Sequence, residues 1–209
     1  MPYIITVLLG FTLCSCFLWN SATPEEYRVP EGYYRLQADF SNGALDGRLE
    51  FLDVPIKSSY YDPEAGGKVF TNEAYAQAAM EISRYLSEWT GLDFTLNGVE
   101  DAGDGIIVNW SENSTLLAGL GDREQKAEFH FHNTASLNWF MMDTLRSTLL
   151  SNLPYSSVYY CSDGQPLDFQ NKEDMAAQGL LLLPLDEPYY GSFYYSAKTD
   201  DDGFTDDIP

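Results

Sequence analysis

The chain has 209 residues, 44% of them hydrophobic and 15% aromatic, which supports one packed domain with appendages and does not fit a disordered chain. Its formal net charge is −21 and its pI about 4.1, so its surface repels phosphate backbones and speaks against nucleic acid as a partner.

Residues 1–19 carry no charged side chain and form an apolar run able to enter a bilayer as a signal-peptide core or a short anchor. Within it, Leu13-Cys14-Ser15-Cys16 resembles the lipobox of bacterial lipoproteins. That resemblance implies removal of residues 1–15 as a signal peptide and a lipid on Cys16. The protein would then sit on the extracytoplasmic face of the cell membrane. Phe17, Leu18 and Trp19 prolong the apolar run, so an uncleaved anchor is the alternative. Of the three cysteines only Cys161 lies outside this region, which leaves no disulfide framework. Its neighbours Val158, Tyr159 and Tyr160 place it in a strand as a small buried side chain, not as a nucleophile.

Residues 16–46 read as linker and lead-in, with Ser21, Thr23, Pro24, Pro30 and Gly32 concentrated over 20–35. A first strand is expected over 47–56. Thr71 or Asn72 can cap a helix in which Tyr75, Ala78, Ala79, Ile82, Leu86 and Trp89 share one face, and Gly91 stops it. Alternation over 92–97 predicts a half-buried strand, and 98–105 a turn region. Ile106 to Ser111 predicts a strong strand, followed by a polar stretch over 112–126 with a helical turn at 116–120. Glu128 to His132 alternates again as a short strand.

Asn133 or Thr134 caps a second helix with Leu137, Met141, Leu145 and Thr148 or Leu149 inward. Asn152 and Pro154 end it. Ser157 to Cys161 is a further strand, closed by the turn Ser162-Asp163-Gly164. The expected fold is α+β, a small mixed sheet with two helices on one face in a single domain over 47–169. Residues 170–209 form a C-terminal extension, in which 180–183 reads as a strand. An aromatic run over 188–195 follows, and then an acidic, disordered tail over 199–209.

Three features from 47 to 169 resemble the GerM-type sporulation and spore-germination domain, called GerMN. They are the helix over 72–90 with its following strand, the run Asp104-Gly105-Ile106-Ile107-Val108-Asn109-Trp110-Ser111, and the helix over 134–151. The last is followed by Val158-Tyr159-Tyr160 and Asp163-Gly164-Gln165-Pro166. The resemblance implies a compact α+β domain, often carried on lipoproteins, with no enzymatic activity. It also implies kinship with ring-building domains of secretion and sporulation machinery. An envelope protein partner or self-association follows as the expectation. Nothing in the family corresponds to the extension over 170–209.

No phosphate-binding loop, nucleophile elbow or His-Glu-x-x-His motif occurs, so no catalytic residue and no cofactor is assigned. Glu128, His130 and His132 have the spacing for three metal ligands on one strand face. An exposed polar face above Phe129 and Phe131 explains them more simply, and no metal is assigned. Asp200-Asp201-Asp202-Gly203 cannot be an EF-hand loop, because Lys198 and Pro209 would fill its first and twelfth positions. The aromatic run offers the best recognition surface: Tyr189, Tyr190, Phe193, Tyr194 and Tyr195 give large contact areas with few torsions. Its alternative is a last strand pairing onto the sheet. The runner-up function is accordingly an extracellular ligand-binding, carbohydrate-binding or carbohydrate-active lipoprotein.

Overall fold

Alternation of buried and half-buried side chains starts at Tyr34, well before the expected domain boundary. The computed structural model describes residues 28–40, 48–57, 61–64, 67–68, 72–170, 172–177, 179–180 and 182–201. Strand β1 (Tyr33–Asp39) pairs antiparallel with β2 (Leu49–Pro55), from Tyr33 opposite Pro55 to Asp39 opposite Leu49. Tyr34, Leu36 and Ala38 are wholly buried. Residues 33–39 therefore belong to the folded body and not to a lead-in. The Pro and Ser residues before them dominate a composition window, whereas alternation decides the structure. Strands β3 (Tyr61–Asp62) and β4 (Gly67–Lys68) form a two-residue ribbon.

Helix α1 (Asn72–Thr90) buries Ala78, Ala79, Ile82 and Leu86, the face the periodicity marks. It ends where Gly91 takes φ +80°, and its amide bonds to the Ser87 carbonyl at 2.9 Å. Lys126 adds a cation at the open end, donating to the carbonyls of Glu88 and Trp89 at 2.8 and 2.7 Å.

Strands β5 (Leu96–Asp101), β6 (Gly105–Trp110) and β7 (Ser157–Cys161) form one mixed sheet in that order. The first pair is antiparallel and the second parallel. The α+β class is as expected, with the strands divided among a three-stranded sheet, the β1–β2 hairpin and the short ribbon. β5 starts later than the alternation over 92–97 suggests and runs through the expected turn to Asp101. The register slips between Leu96 and Gly98, a bulge that local alternation cannot show. Helix α2 (Thr115–Ala118) supplies the expected helical turn. The short strand expected over 128–132 is instead a 3-10 turn (Ala127–Phe129) followed by extended chain. The inside-outside order survives: Phe129 and Phe131 are buried among Phe40 and Phe140, while His130 and His132 face outward.

Helix α3 (Thr134–Asn152) is capped by Asn133, whose side chain accepts from the Ser136 amide at 2.7 Å. It is buried nearly all round, which a helix achieves only when partners cover every face. One face lies along the edge of β1. Asn152, Thr148 and Thr144, spaced by four, accept the amides of Arg35, Gln37 and Asp39, each at 3.0 Å. These three amides point away from β2. The helix thus supplies side-chain partners where a further strand would have supplied carbonyls, and the sheet edge is closed. No helix among the described residues is long and apolar enough to cross a membrane.

Candidate functional site

Described residues beyond Phe169 pack back onto the body. After helix α4 (Lys172–Ala177), Leu180 and Leu183 are buried without joining a sheet, so the described residues of 180–183 do not form the expected strand. The Tyr189 amide then bonds to the Val158 carbonyl of β7 at 2.8 Å. The Tyr189 ring enters the core beside Trp139, Tyr160 and Tyr195. From Ser192 the chain turns into helix α5 (Ser192–Asp201). A final strand over 188–195 is therefore not present, and Thr199 to Asp201 continue a helix where a disordered tail was expected.

A carboxylate on α3 explains the turn into a helix. Asp143 is buried, and its Oδ1 accepts the Tyr189 hydroxyl at 2.7 Å and the Ser192 amide at 2.9 Å. Its Oδ2 accepts the Ser192 hydroxyl. A negative group thereby meets the first amide of α5, where the helix dipole favours it. Burial raises the Asp143 pKa, although the bonds from Ser192 and Tyr189 oppose that shift. Burial also lifts the Tyr189 phenol well above its ordinary value, and the Asp143 charge adds to the effect. Arg146 completes the anchor by donating to the Tyr189 carbonyl at 2.9 Å.

This anchor divides the five aromatic residues chosen from the sequence. Tyr189 and Tyr195 are core, 1% and 9% exposed. Tyr190, Phe193 and Tyr194 face outward, 48%, 79% and 41% exposed, with the rings of Tyr190 and Tyr194 4.7 Å apart. The platform available to a partner is therefore these three side chains. Asp143, Ser192 and Arg146 were not singled out from the sequence. The available signal was an ionisable residue amid the apolar run Trp139-Phe140-Met141-Met142.

The outer face of the three-stranded sheet holds a second feature, a dish of about 370 Å³. Its floor is two cross-strand rows, Glu100–Ile107–Tyr159 and Gly98–Asn109–Cys161. The bulge in β5 turns Asn97 onto this face, where its Nδ2 donates to Asp163 Oδ1 at 2.8 Å. The Asp163 amide in turn donates to Asn109 Oδ1 at 2.8 Å. Asp163 and Gly164 have φ of 50° and 69°, the conformation that the expected Asp-Gly turn requires. Cys161 is buried at the floor, and burial raises its thiol pKa, with Glu100 and Asp163 adding to the effect. The Gly164 amide opposes that shift, and the net effect disfavours the thiolate and makes the thiol slow to react.

His130 and His132 have ring centroids 4.7 Å apart on the exposed side. Among the described residues no group of three or more metal-ligating side chains comes together. Cys16 and residues 202–209, including Asp202 and Gly203, lie outside the described residues.

No known protein family, curated protein or solved structure matches this chain.

Proposed function

We propose that this chain is a membrane-tethered, extracytoplasmic interaction protein of the GerM type, non-enzymatic, held by a lipid on Cys16. Its setting would be sporulation, germination or envelope assembly. The lipobox-like Leu13-Cys14-Ser15-Cys16 supports the tether, and the order of motifs from 72 to 166 supports the family reading. The observation that carries the interaction role is the fixed aromatic platform. Tyr190, Phe193 and Tyr194 stand exposed on a segment held in place by a buried carboxylate, a tyrosine and an arginine. Exposed aromatic side chains on a rigid support suit a protein interface, because little conformational entropy is lost when they are covered.

The expected occupant is another envelope protein, with a second copy of the chain as the competing occupant. A photo-crosslinking amino acid at position 193, in whole cells, tests this. A discrete crosslinked species that disappears when Tyr190 and Tyr194 are both changed to Ser supports the role, and its mass distinguishes a partner from a second copy. Crosslinking no stronger than at the exposed position Glu112 contradicts it. The Cys16→Ser variant is expected to leave the membrane fraction or to retain its uncleaved N-terminal segment.

A further inference from the structure

The dish on the outer sheet face has its own chemistry, independent of the platform and of the proposed tether. The floor is open for two structural reasons. Gly98 places no side chain on it, and a Cβ there would meet nothing within 4 Å. At Gly105 a Cβ would lie 2.6 Å from both the Tyr159 ring and Ser157 Oγ, so the ring fills the space over this glycine. Tyr159 therefore leans toward Gly105, leaving the area above Ile107 and Asn109 uncovered. Leu185, from the C-terminal segment, forms an apolar wall.

Among the described residues, polar groups around this floor, those of Glu100, Tyr159, Asn109 and Asn97 alike, are left without partners. Glu100 has no cation or hydrogen-bond donor among the described residues, and neither does the Tyr159 hydroxyl have a partner there. Asn109 engages Asp163 through Oδ1 and leaves Nδ2 free. Asn97 uses Nδ2 toward Asp163 and the Trp110 carbonyl and leaves Oδ1 free. The dish thus offers one anion, an amide donor, an amide acceptor and a hydroxyl beside the apolar surfaces of Ile107, Tyr159 and Leu185. With strands about 4.8 Å apart and same-face residues about 6.8 Å apart, these groups frame a floor of roughly 10 by 7 Å.

From this arrangement we infer that the dish binds an amine-bearing sugar ring, an aminohexose unit of a glycan. Its ammonium would meet Glu100, its hydroxyls Asn97 and Asn109, and its C–H face Tyr159 and Leu185. Charge selects the cation: the free carboxylate and a net charge of −21 both repel anionic sugars. The two amides and the phenol select the polyhydroxyl body. A simple alkyl-ammonium, such as a lysine side chain, would satisfy Glu100 and leave those groups unpaired.

The test uses the full chain in detergent, with a chitosan tetrasaccharide as the probe. Binding is read by calorimetry and by the rate at which Cys161 is alkylated, followed on its own peptide by mass spectrometry. The tetrasaccharide should bind and slow alkylation. Its fully N-acetylated counterpart should bind more weakly, and a tetralysine peptide should give no protection. Glu100→Gln should weaken binding about tenfold or more, the usual consequence of losing a charged hydrogen bond. Gly98→Val, which fills open space without backbone strain, should abolish binding and leave the melting temperature unchanged or higher. Any of three results overturns the inference: no protection by the tetrasaccharide, protection indifferent to both substitutions, or equal protection by tetralysine. Loss of platform crosslinking at position 193 would leave this site untouched, so the two readings fail separately.

Discussion

Tyr189 and Phe193 stand four residues apart in one aromatic run and have opposite surroundings. Tyr189 is enclosed by rings and by Asp143, whereas Phe193 meets solvent over most of its surface. Tyr189→Ala should therefore cost about 3–5 kcal/mol of folding stability, the range for deleting a buried aromatic side chain. Phe193→Ala should change stability by less than about 0.5 kcal/mol. Chemical denaturation of the two variants checks the division, and equal effects would contradict it.

Asp143 adds a dependence on pH. Its folded pKa lies above the ordinary value of 3.8, so the folded protein holds this proton more tightly than the unfolded chain. The resulting stability is fully present below about pH 4 and is lost as pH rises through the raised folded value. Among the described residues, Asp39, Tyr160 and Tyr189 interact electrostatically with it, and Arg146 stands beside Tyr160 and Tyr189. Asp143→Asn should remove that slope and lose little stability at neutral pH, because the amide oxygen can accept from the Tyr189 hydroxyl and Ser192 amide while Nδ2 donates to a reoriented Ser192 hydroxyl. Asp143→Ala leaves the Tyr189 hydroxyl and Ser192 amide unpaired and should cost about 1–3 kcal/mol for each group left buried. Thermal melts of the wild type and Asp143→Asn across pH 3–8 give the test as a difference, which cancels the repulsion common to both chains.

Elements whose partners are close in sequence, or whose pattern is strong, were legible. The inward face of α1 was readable from apolar spacing, the α3 cap from Asn133, and the β7 turn from Asp163-Gly164. β1 was not readable, because half of its hydrogen bonding comes from residues more than a hundred positions away on α3. Thr148 also donates back to the Gln37 carbonyl at 3.3 Å, so it serves both edge groups of that residue. Sequence periodicity counts Thr148 as a small inward side chain and cannot show this role. Thr148→Val keeps the shape and strands the Gln37 amide, and should cost about 1–3 kcal/mol. Hydrogen exchange at that amide should quicken selectively, and unchanged exchange would contradict the edge-closing role. α5 was missed for a related reason: its N-terminal partner is a side chain on α3, and an aromatic run reads locally as a strand.

At the scale of the molecule, the body extends further in both directions than the 47–169 segment. Residues 33–39 close one side and Leu180, Leu183 and Tyr189 pack into the core. Deleting 170–209 would uncover Trp139 and Tyr160, so truncation disturbs the fold along with any surface it removes. Of the recognition site, the aromatic composition was legible and the division into core and platform was not, since contacts with Asp143, Arg146 and Val158, distant in sequence, determine it. The dish was invisible for the same physical reason. A bulge at Asn97, a missing side chain at Gly98 and a ring leaning over Gly105 are properties of a register, not of a local pattern.

Crosslinking from position 193 in intact cells tests the interaction role most directly, because it requires the platform to be folded, exposed and engaged at once. The interaction role predicts a single membrane-associated crosslinked species that is lost in the Tyr190→Ser, Tyr194→Ser double variant and retained in Glu100→Gln. Crosslinking that is diffuse, or unaffected by the loss of both tyrosines, would contradict it.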